Sequence, residues 1–199
     1  PWIRDVAYVI SMTELLILGN IIWNWRKTVS SATKTFHLMS YRFFTASDVW
    51  IFINLVLAIA ISVPFINRFT HGTHITVAHA MGTTIGINTF ILFASLFYLL
   101  RLQNDTTLLK YIKAGFWILN VSLLIFWVSL IASGITKTIE LTNGGTFASA
   151  MQKMLPYFYS FFIAGIGILA GILLIAIPAL VSCIQQIRQN RLVSFQPVT

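Results

Sequence analysis

Charged residues are scarce in this sequence. Asp, Glu, Lys and Arg make up 9% of the 199 residues, whereas hydrophobic residues make up 57% and the mean hydropathy is +0.83. A soluble domain of average composition carries about 25% charged residues. The scarcity of charge therefore excludes an ordinary soluble protein and indicates an integral membrane protein that lies in the lipid bilayer.

Cysteine is nearly absent as well. Cys183 is the single cysteine of the chain, so an internal disulfide is impossible, and we interpret this thiol as structural. The chain begins with Pro1, and no charged segment with a cleavage site precedes its first apolar run. We therefore expect a piece of a longer polypeptide or a processed subunit.

Long apolar runs are what the sequence has in quantity. An α-helix of about 20 residues crosses a bilayer, and five runs reach that length. The runs do not alternate with a period of two, which excludes a transmembrane β-barrel. We predict an all-α integral membrane protein, a single membrane domain over 1–199, with helices at about 6–25, 49–66, 75–100, 114–136 and 156–181.

The net charge of +8 lies in the connections between these runs. It forms no stripe along any one element, so the sequence does not indicate nucleic-acid binding. With the five spans crossing in alternate directions, nine basic residues fall on the side of the C-terminus and four on the side of the N-terminus. By the positive-inside rule, this asymmetry predicts a cytoplasmic C-terminus and a periplasmic N-terminus.

One histidine lies inside a predicted span. His79 belongs to the run 75–100, and a histidine at membrane depth usually lines a cavity or binds something. Met81 is two positions further on, about 200° around the helix, so the two side chains point to nearly opposite sides. Imidazole and thioether are both axial ligands of haem iron. The alternatives are a His79 ring satisfied by a neighbouring helix and a Met81 that fills the core.

The other polar residues have two interpretations each. Glu14, inside the first predicted span, is either a protonated carboxyl bonded to a neighbouring helix or a proton-transfer group beside a reaction centre. His71 and His74 are expected at the water boundary, as interfacial anchors or partners of haem propionates. Asp48 is expected to cap the second helix and His37 to lie in a loop.

Two glycine patterns predict local structure. Gly167 and Gly171 form a G-x-x-x-G pair, which allows close packing of membrane helices. Asn143-Gly144-Gly145 is typical of a turn, and it separates the fourth predicted span from the fifth.

Three segments together resemble a known family. Thr70-His71-Gly72-Thr73-His74 followed by Ala78-His79-Ala80-Met81-Gly82 resembles the T-H-G-T and H-G-H pattern in the tenth helix of the large, catalytic subunit of bacterial respiratory nitric oxide reductase. This family is a branch of the haem-copper oxidase superfamily. Ser11-Met12-Thr13-Glu14 resembles the S-x-L-E segment of its eighth helix, and Gly115-Phe116-Trp117 resembles the G-F-W that opens its eleventh. The resemblance covers the whole chain, which then corresponds to the last five helices of a twelve-helix bundle.

The resemblance implies a role for each site residue. His79 corresponds to the proximal ligand of haem b3, where two nitric oxide molecules are reduced to nitrous oxide and water beside a non-haem iron. Glu14 corresponds to an acid near that iron, and His71 to the region of the haem propionates. Met81 stands where the family has a histidine ligand of haem b. Ligation by His and Met, another sixth ligand, or the absence of that haem all remain open.

The resemblance also implies partners. The family's non-haem iron ligands and the opposite haem b histidine lie on earlier helices, so we expect the N-terminal portion of the catalytic subunit to complete the bundle. A cytochrome c-type subunit is the expected electron donor, and a bacterial inner membrane is the expected location. Two alternatives remain: a related haem-copper member, either an oxygen reductase or similar to nitric oxide dismutase, and a non-catalytic membrane scaffold that has kept the fold.

Overall fold

Helices account for all the regular structure that is described. The computed structural model describes residues 2–28, 30, 37–100 and 106–194, with side chains for all of these except 4, 5, 7, 8, 11, 12, 14, 15, 106 and 189–194. The helices are α1 (Trp2–Thr28), α2 (Leu38–Ser62), α3 (Pro64–Thr70), α4 (His74–Met81), a π-helical segment (Gly82–Thr89), α5 (Phe90–Leu100), α6 (Thr106–Thr142) and α7 (Phe147–Ser194). Because α4, the π-helical segment and α5 follow one another without a break, we call them together the composite helix.

Four helices in the described ranges are long and apolar enough to cross a membrane: α2, the composite helix, α6 and α7. They confirm an all-helical, multi-pass membrane fold. The first predicted span, 6–25, lies in α1, which is not among these four. That span, and with it the number of five, stays a prediction.

The second helix begins earlier than its sequence suggests. α2 begins at Leu38, not near Val49, so the predicted loop up to Ser47 is wrong. Although this stretch is rich in polar residues, one face of it is buried, because Met39 and Phe43 both belong to the core. Packing against neighbouring helices therefore makes this segment helical despite its polarity.

The end of α2 is set by a proline. Val63 has an extended backbone, with φ −60° and ψ 123°, and Pro64 follows it. Proline disfavours the helical conformation in the residue before it but suits the first turn of a helix. The predicted second helix, 49–66, is therefore divided in the structure into α2 and the short α3.

The last two helices extend well beyond the predicted 114–136 and 156–181. α7 continues through Pro156 and Pro178, as membrane helices can when neighbouring groups satisfy the freed backbone. The predicted turn between the two helices is confirmed: Gly144 has φ +81°, a conformation that suits glycine.

Glycines bring α6 and α7 into backbone contact. A methyl group placed on Gly171 would lie 2.8 Å from the backbone nitrogen of Leu119, and one on Gly115 would lie 2.9 Å from the carbonyl oxygen of Gly171. Gly167 faces the side chain of Ser122. The close packing predicted from the G-x-x-x-G pair is confirmed, and we call Gly115, Gly167 and Gly171 the glycine seam.

Hydrogen bonds join α2 to the composite helix. Ser40 Oγ donates to the carbonyl of Ala94 at 2.7 Å, and Ser47 Oγ donates to that of Ile87 at 3.4 Å. Asn54 Nδ2 donates to Thr83 Oγ1 at 2.6 Å. The three α2 residues are seven positions apart and therefore lie on one face of the helix. We call Ser40, Ser47 and Asn54 the polar ladder.

A cluster of phenylalanines forms the centre of the core. The fully buried Phe43 of α2 contacts four other rings, with centroid distances of 5.1 to 5.9 Å: Phe90, Phe93, Phe97 and Phe116. These rings come from α5 and α6. The cluster therefore packs α2 and α6 against α5, the C-terminal part of the composite helix.

An ion pair joins α1 to α2. Arg26 Nη2 lies 3.2 Å from Asp48 Oδ2, and the side chain of Asp48 is only 3% exposed. The prediction that Asp48 caps the second helix is wrong, because the helix begins ten residues before it. Its carboxylate instead serves as the buried partner of a cation on the neighbouring helix.

Candidate functional site

The T-H-G-T motif builds the turn between α3 and α4. Gly72 has φ +71°, a conformation that residues with side chains rarely adopt. Thr73 caps α4, since its Oγ1 accepts a hydrogen bond from the Ile75 amide at 3.3 Å and donates one to the Thr70 carbonyl at 2.7 Å. The motif thus determines where the helix that carries His79 begins.

The C-terminal part of α6 holds this turn in place. Lys137 Nζ donates to the carbonyl of Gly72 at 3.1 Å, and Thr138 Oγ1 donates to that of Phe69 at 2.7 Å. A methyl group on Gly134 would lie only 3.0 Å from the Ile75 nitrogen, so the backbones of α4 and α6 lie close together here. The start of α4 is therefore fixed from the side of α6.

The histidines of the turn have different surroundings. His74 is half-buried, with Nδ1 at 2.9 Å from Ser133 Oγ and its ring edge-on to Phe158. His71 is exposed at the end of α3. The hydrogen bond gives His74 a role in joining α4 to α6. A contact of either ring with haem propionates stays a prediction.

His79 is half-buried and has a free imidazole. Its Nδ1 is buried without a hydrogen-bond partner, and neither ring nitrogen bonds another of the described residues. An unpaired polar atom in an apolar environment costs free energy, and binding a ligand removes that cost. Axial ligation of haem iron requires one free imidazole nitrogen, so His79 fits this group. The alternative of a ring satisfied by a neighbouring helix finds no support among the described residues.

The backbone next to His79 belongs to a polar network. Thr83 Oγ1 donates to the carbonyl of His79 at 3.1 Å and accepts from Asn54 at 2.6 Å. A methyl group on Gly82 would lie 2.5 Å from Asn54 Oδ1 and 3.3 Å from Trp127 Nε1. Both of these atoms are buried without a partner among the described residues. Unpaired polar atoms therefore gather within one turn of His79.

The composite helix changes its winding directly after Met81. The π-helical segment Gly82–Thr89 begins there, and π turns are rare and occur often at functional sites. Its small residues accommodate neighbouring side chains, since a methyl group on Gly86 would lie 2.7 Å from the Trp50 ring. Small residues allow either another helix or a flat cofactor to approach the backbone closely. At Gly86 the structure has another helix, α2, which carries Trp50.

Met81 is half-buried and is the last residue of α4. Because both residues belong to the α-helix, the side chains of His79 and Met81 are about 200° apart around its axis, as the sequence predicts. None of four well-formed cavities in the described part, with volumes of about 330 to 510 Å³, is lined by His79 or Met81. No group of three or more His, Cys, Asp or Glu side chains converges in that part either. Axial ligation of haem needs only one or two side chains, so ligation by Met81 stays a prediction.

The remaining candidates lie away from His79. Glu14 is in α1, and its side chain lies outside the described residues, so its predicted role in proton transfer has no geometry to support it. His37 directly precedes α2 and stacks on Tyr98, with ring centroids 4.4 Å apart. The prediction that His37 is only a loop residue is therefore incomplete, because its ring contacts α5.

Sequence reasoning missed the residues that surround His79. Asn54, Thr83 and Trp127 come from three helices, and none of them belongs to the motifs that carry the resemblance. One signal was available for Asn54: the polar ladder recurs every seven residues, and this spacing indicates a helix face that bonds another helix.

Comparison with known proteins adds the family. A search of curated proteins finds no match. A family model described as cytochrome c and quinol oxidase polypeptide I matches residues 1–167, which include α1 to α6, the whole T-H-G-T turn and His79. The match extends over more than half of the chain, so this protein belongs to the subunit I family of the haem-copper oxidases.

Proposed function

We propose that this chain is the C-terminal part of the catalytic subunit of a bacterial nitric oxide reductase. Subunit I family members are oxidoreductases that bind haem and a further metal centre. The T-H-G-T turn and the His79 segment resemble the pattern of the nitric oxide reductase branch within that family, which supports the proposal. The observation that carries the proposal is the buried, unpartnered imidazole nitrogen of His79 on a membrane-spanning helix.

His79 would hold the iron of haem b3 in this protein. The haem, with a non-haem iron opposite, supplies reductive coupling of two nitric oxide molecules with two electrons and two protons, which gives nitrous oxide and water. The T-H-G-T turn and its bonds to α6 hold α4 in place, so the imidazole has a fixed position. Met81 would present its thioether to haem b on the opposite side, and Glu14 would help to deliver protons.

The proposal requires other polypeptide. The non-haem iron ligands would come from the N-terminal portion of the catalytic subunit, which together with the five spans would give the twelve-helix bundle. Electrons would come from a cytochrome c-type subunit on the periplasmic side of the inner membrane. The excess of basic residues on the side of the C-terminus supports this orientation.

Absorption spectra and product analysis of the purified complex test the proposal. We expect haem b bands and conversion of nitric oxide to nitrous oxide. His79→Ala should remove the high-spin haem signal and activity. His37→Ala should keep both, because His37 stacks on Tyr98, near the opposite end of the composite helix from His79. A complex without haem b would contradict the enzymatic function, and unchanged activity of His79→Ala would favour the non-catalytic scaffold.

Met81 favours a second candidate, a related haem-copper member with altered chemistry. A thioether ligand raises the reduction potential of a haem, and a higher potential suits an oxygen reductase or a protein similar to nitric oxide dismutase. Oxygen consumption, or oxygen release from nitric oxide, measured on the same preparation separates these activities. Met81→Leu should abolish the low-spin haem signal if the thioether is a ligand. The exposed Met151 offers a control, and Met151→Leu should leave that signal unchanged.

A further inference from the structure

Two polar atoms with complementary hydrogen-bonding capacity lie beside Gly82. Asn54 Oδ1 is an acceptor and Trp127 Nε1 is a donor. Both are buried without a partner among the described residues, and Asn54 is only 2% exposed. Both lie close to the position that a Cβ of Gly82 would take, at the first residue of the π-helical segment. The Asn54 amide is therefore buried beside the turn that follows His79.

The other end of the Asn54 amide leads to His79. Asn54 Nδ2 donates to Thr83 Oγ1 at 2.6 Å, and the same hydroxyl donates to the carbonyl of His79 at 3.1 Å. The other two residues of the polar ladder bond the carbonyls of Ala94 and Ile87, which are further along the composite helix. In the polar ladder, Asn54 is thus the residue whose hydrogen bonds extend to the His79 turn.

We propose that Asn54 is a positioning residue for His79. It holds the turn 79–83 against α2 through the Thr83 hydroxyl. Because the turn fixes the direction of the imidazole, this network sets the orientation of the axial ligand. Outer-shell hydrogen bonds of this kind orient metal ligands and tune the metal. The consequence for haem rests on the proposed function, whereas the network itself does not.

Matched variants of Thr83 test the network in the purified complex. Thr83→Val removes the hydroxyl and keeps the shape, and Thr83→Ser keeps the hydroxyl. Hydrogen-deuterium exchange of the backbone amides in 79–84 should become roughly threefold to tenfold faster in Thr83→Val, the range given by one interhelical hydrogen bond in a membrane. It should change less than about twofold in Thr83→Ser.

Further variants assign the effect to individual groups. Asn54→Leu should match Thr83→Val, because it removes the donor of the same interhelical hydrogen bond. Ser47→Ala is the control, because it removes another hydrogen bond of the polar ladder that does not reach His79. If Asn54→Leu does not fold, Thr83→Val still tests whether the hydrogen bond holds the turn, because this variant removes a single hydroxyl.

The haem spectrum and reduction potential are measured on the same samples. A shift in both for Thr83→Val, with none for Ser47→Ala, supports a positioning role. Faster exchange with an unchanged spectrum and potential overturns that role, and exchange no faster than in Ser47→Ala overturns the network itself. If the wild-type complex holds no haem, the proposed function fails, and the exchange rates still decide whether Asn54 holds the turn.

Discussion

The pair α6–α7 and the pair formed by α2 and the composite helix are held together in different ways. The glycine seam brings the backbones of α6 and α7 into contact, whereas the polar ladder joins the other pair by hydrogen bonds. Four buried side-chain polar atoms in the described part lack partners, and they belong to Thr45, Asn54, His79 and Trp127. None of them is in α7. One, Trp127, is in α6, and the other three are in α2 and the composite helix. The unpaired polar atoms are thus concentrated in the pair that hydrogen bonds hold together, and the α6–α7 pair holds one of them.

The largest expected effect comes from breaking the glycine seam. Gly171→Ala would place a methyl group 2.8 Å from the backbone nitrogen of Leu119, and a helix backbone cannot move aside as a side chain can. We expect a loss of about 3 kcal/mol, the upper part of the range for overpacking. Thermal unfolding of the detergent-solubilised complex measures it.

Gly165→Ala is the matched control on the same helix, because its methyl group would lie 3.9 Å from the nearest side-chain atom, an ordinary contact. Equal melting temperatures for the two variants would show that the seam does not depend on glycine.

A medium effect is expected at the ion pair between α1 and α2. Arg26→Ala leaves the carboxylate of Asp48, 3% exposed, buried without its cation, and should reduce stability by about 2 kcal/mol. Asp48→Ala should cost about 1 kcal/mol or less, because the side chain of Arg26 is 38% exposed and keeps access to water. The same unfolding measurement compares the two variants, and a larger loss for Asp48→Ala would contradict this order.

The smallest expected effects sharpen the comparison of the two helix pairs. Ser129 and Ser160 share a hydrogen bond of 2.8 Å between α6 and α7, and Ser40 makes one of 2.7 Å between α2 and α5. Ser129→Ala and Ser40→Ala should each cost about 0.6 kcal/mol, the average for such bonds in a membrane protein. A much larger loss for Ser129→Ala would mean that polar bonding, and not glycine contact, holds α6 to α7.

The composition and the glycine patterns predicted the parts of the fold that depend on local chemistry. Apolar length predicted membrane helices, and Gly144 and Gly171 predicted a turn and a close contact. The start of α2 was not predictable in this way, because its polar residues are paired in three dimensions and look like a loop in sequence. The role of Asp48 was mispredicted for the same reason. An acid before an apolar run is typical of a helix cap, whereas Asp48 pairs with Arg26 of another helix.

The candidate site was predictable only in part. Membrane depth drew attention to His79, and the structure adds that its ring is free. The π-helical segment was not predictable from its residues, because Gly, Thr and Asn occur in ordinary membrane α-helices as well and do not specify a π turn. The contacts of Asn54 with Thr83 and of Trp127 with Gly82 join positions 29 or more residues apart, which no local pattern reports.

The π-helical segment has a consequence for changes in chain length. A π turn holds one residue more than an α turn, and one residue corresponds to about 100° of rotation. Deleting one residue from 82–89 can therefore restore an α-helix while the faces above and below keep their directions. The same deletion inside α5 would swing Phe97 away from Phe43. The wide turn is thus a place where the composite helix can lose one residue while α4 and α5 keep their directions.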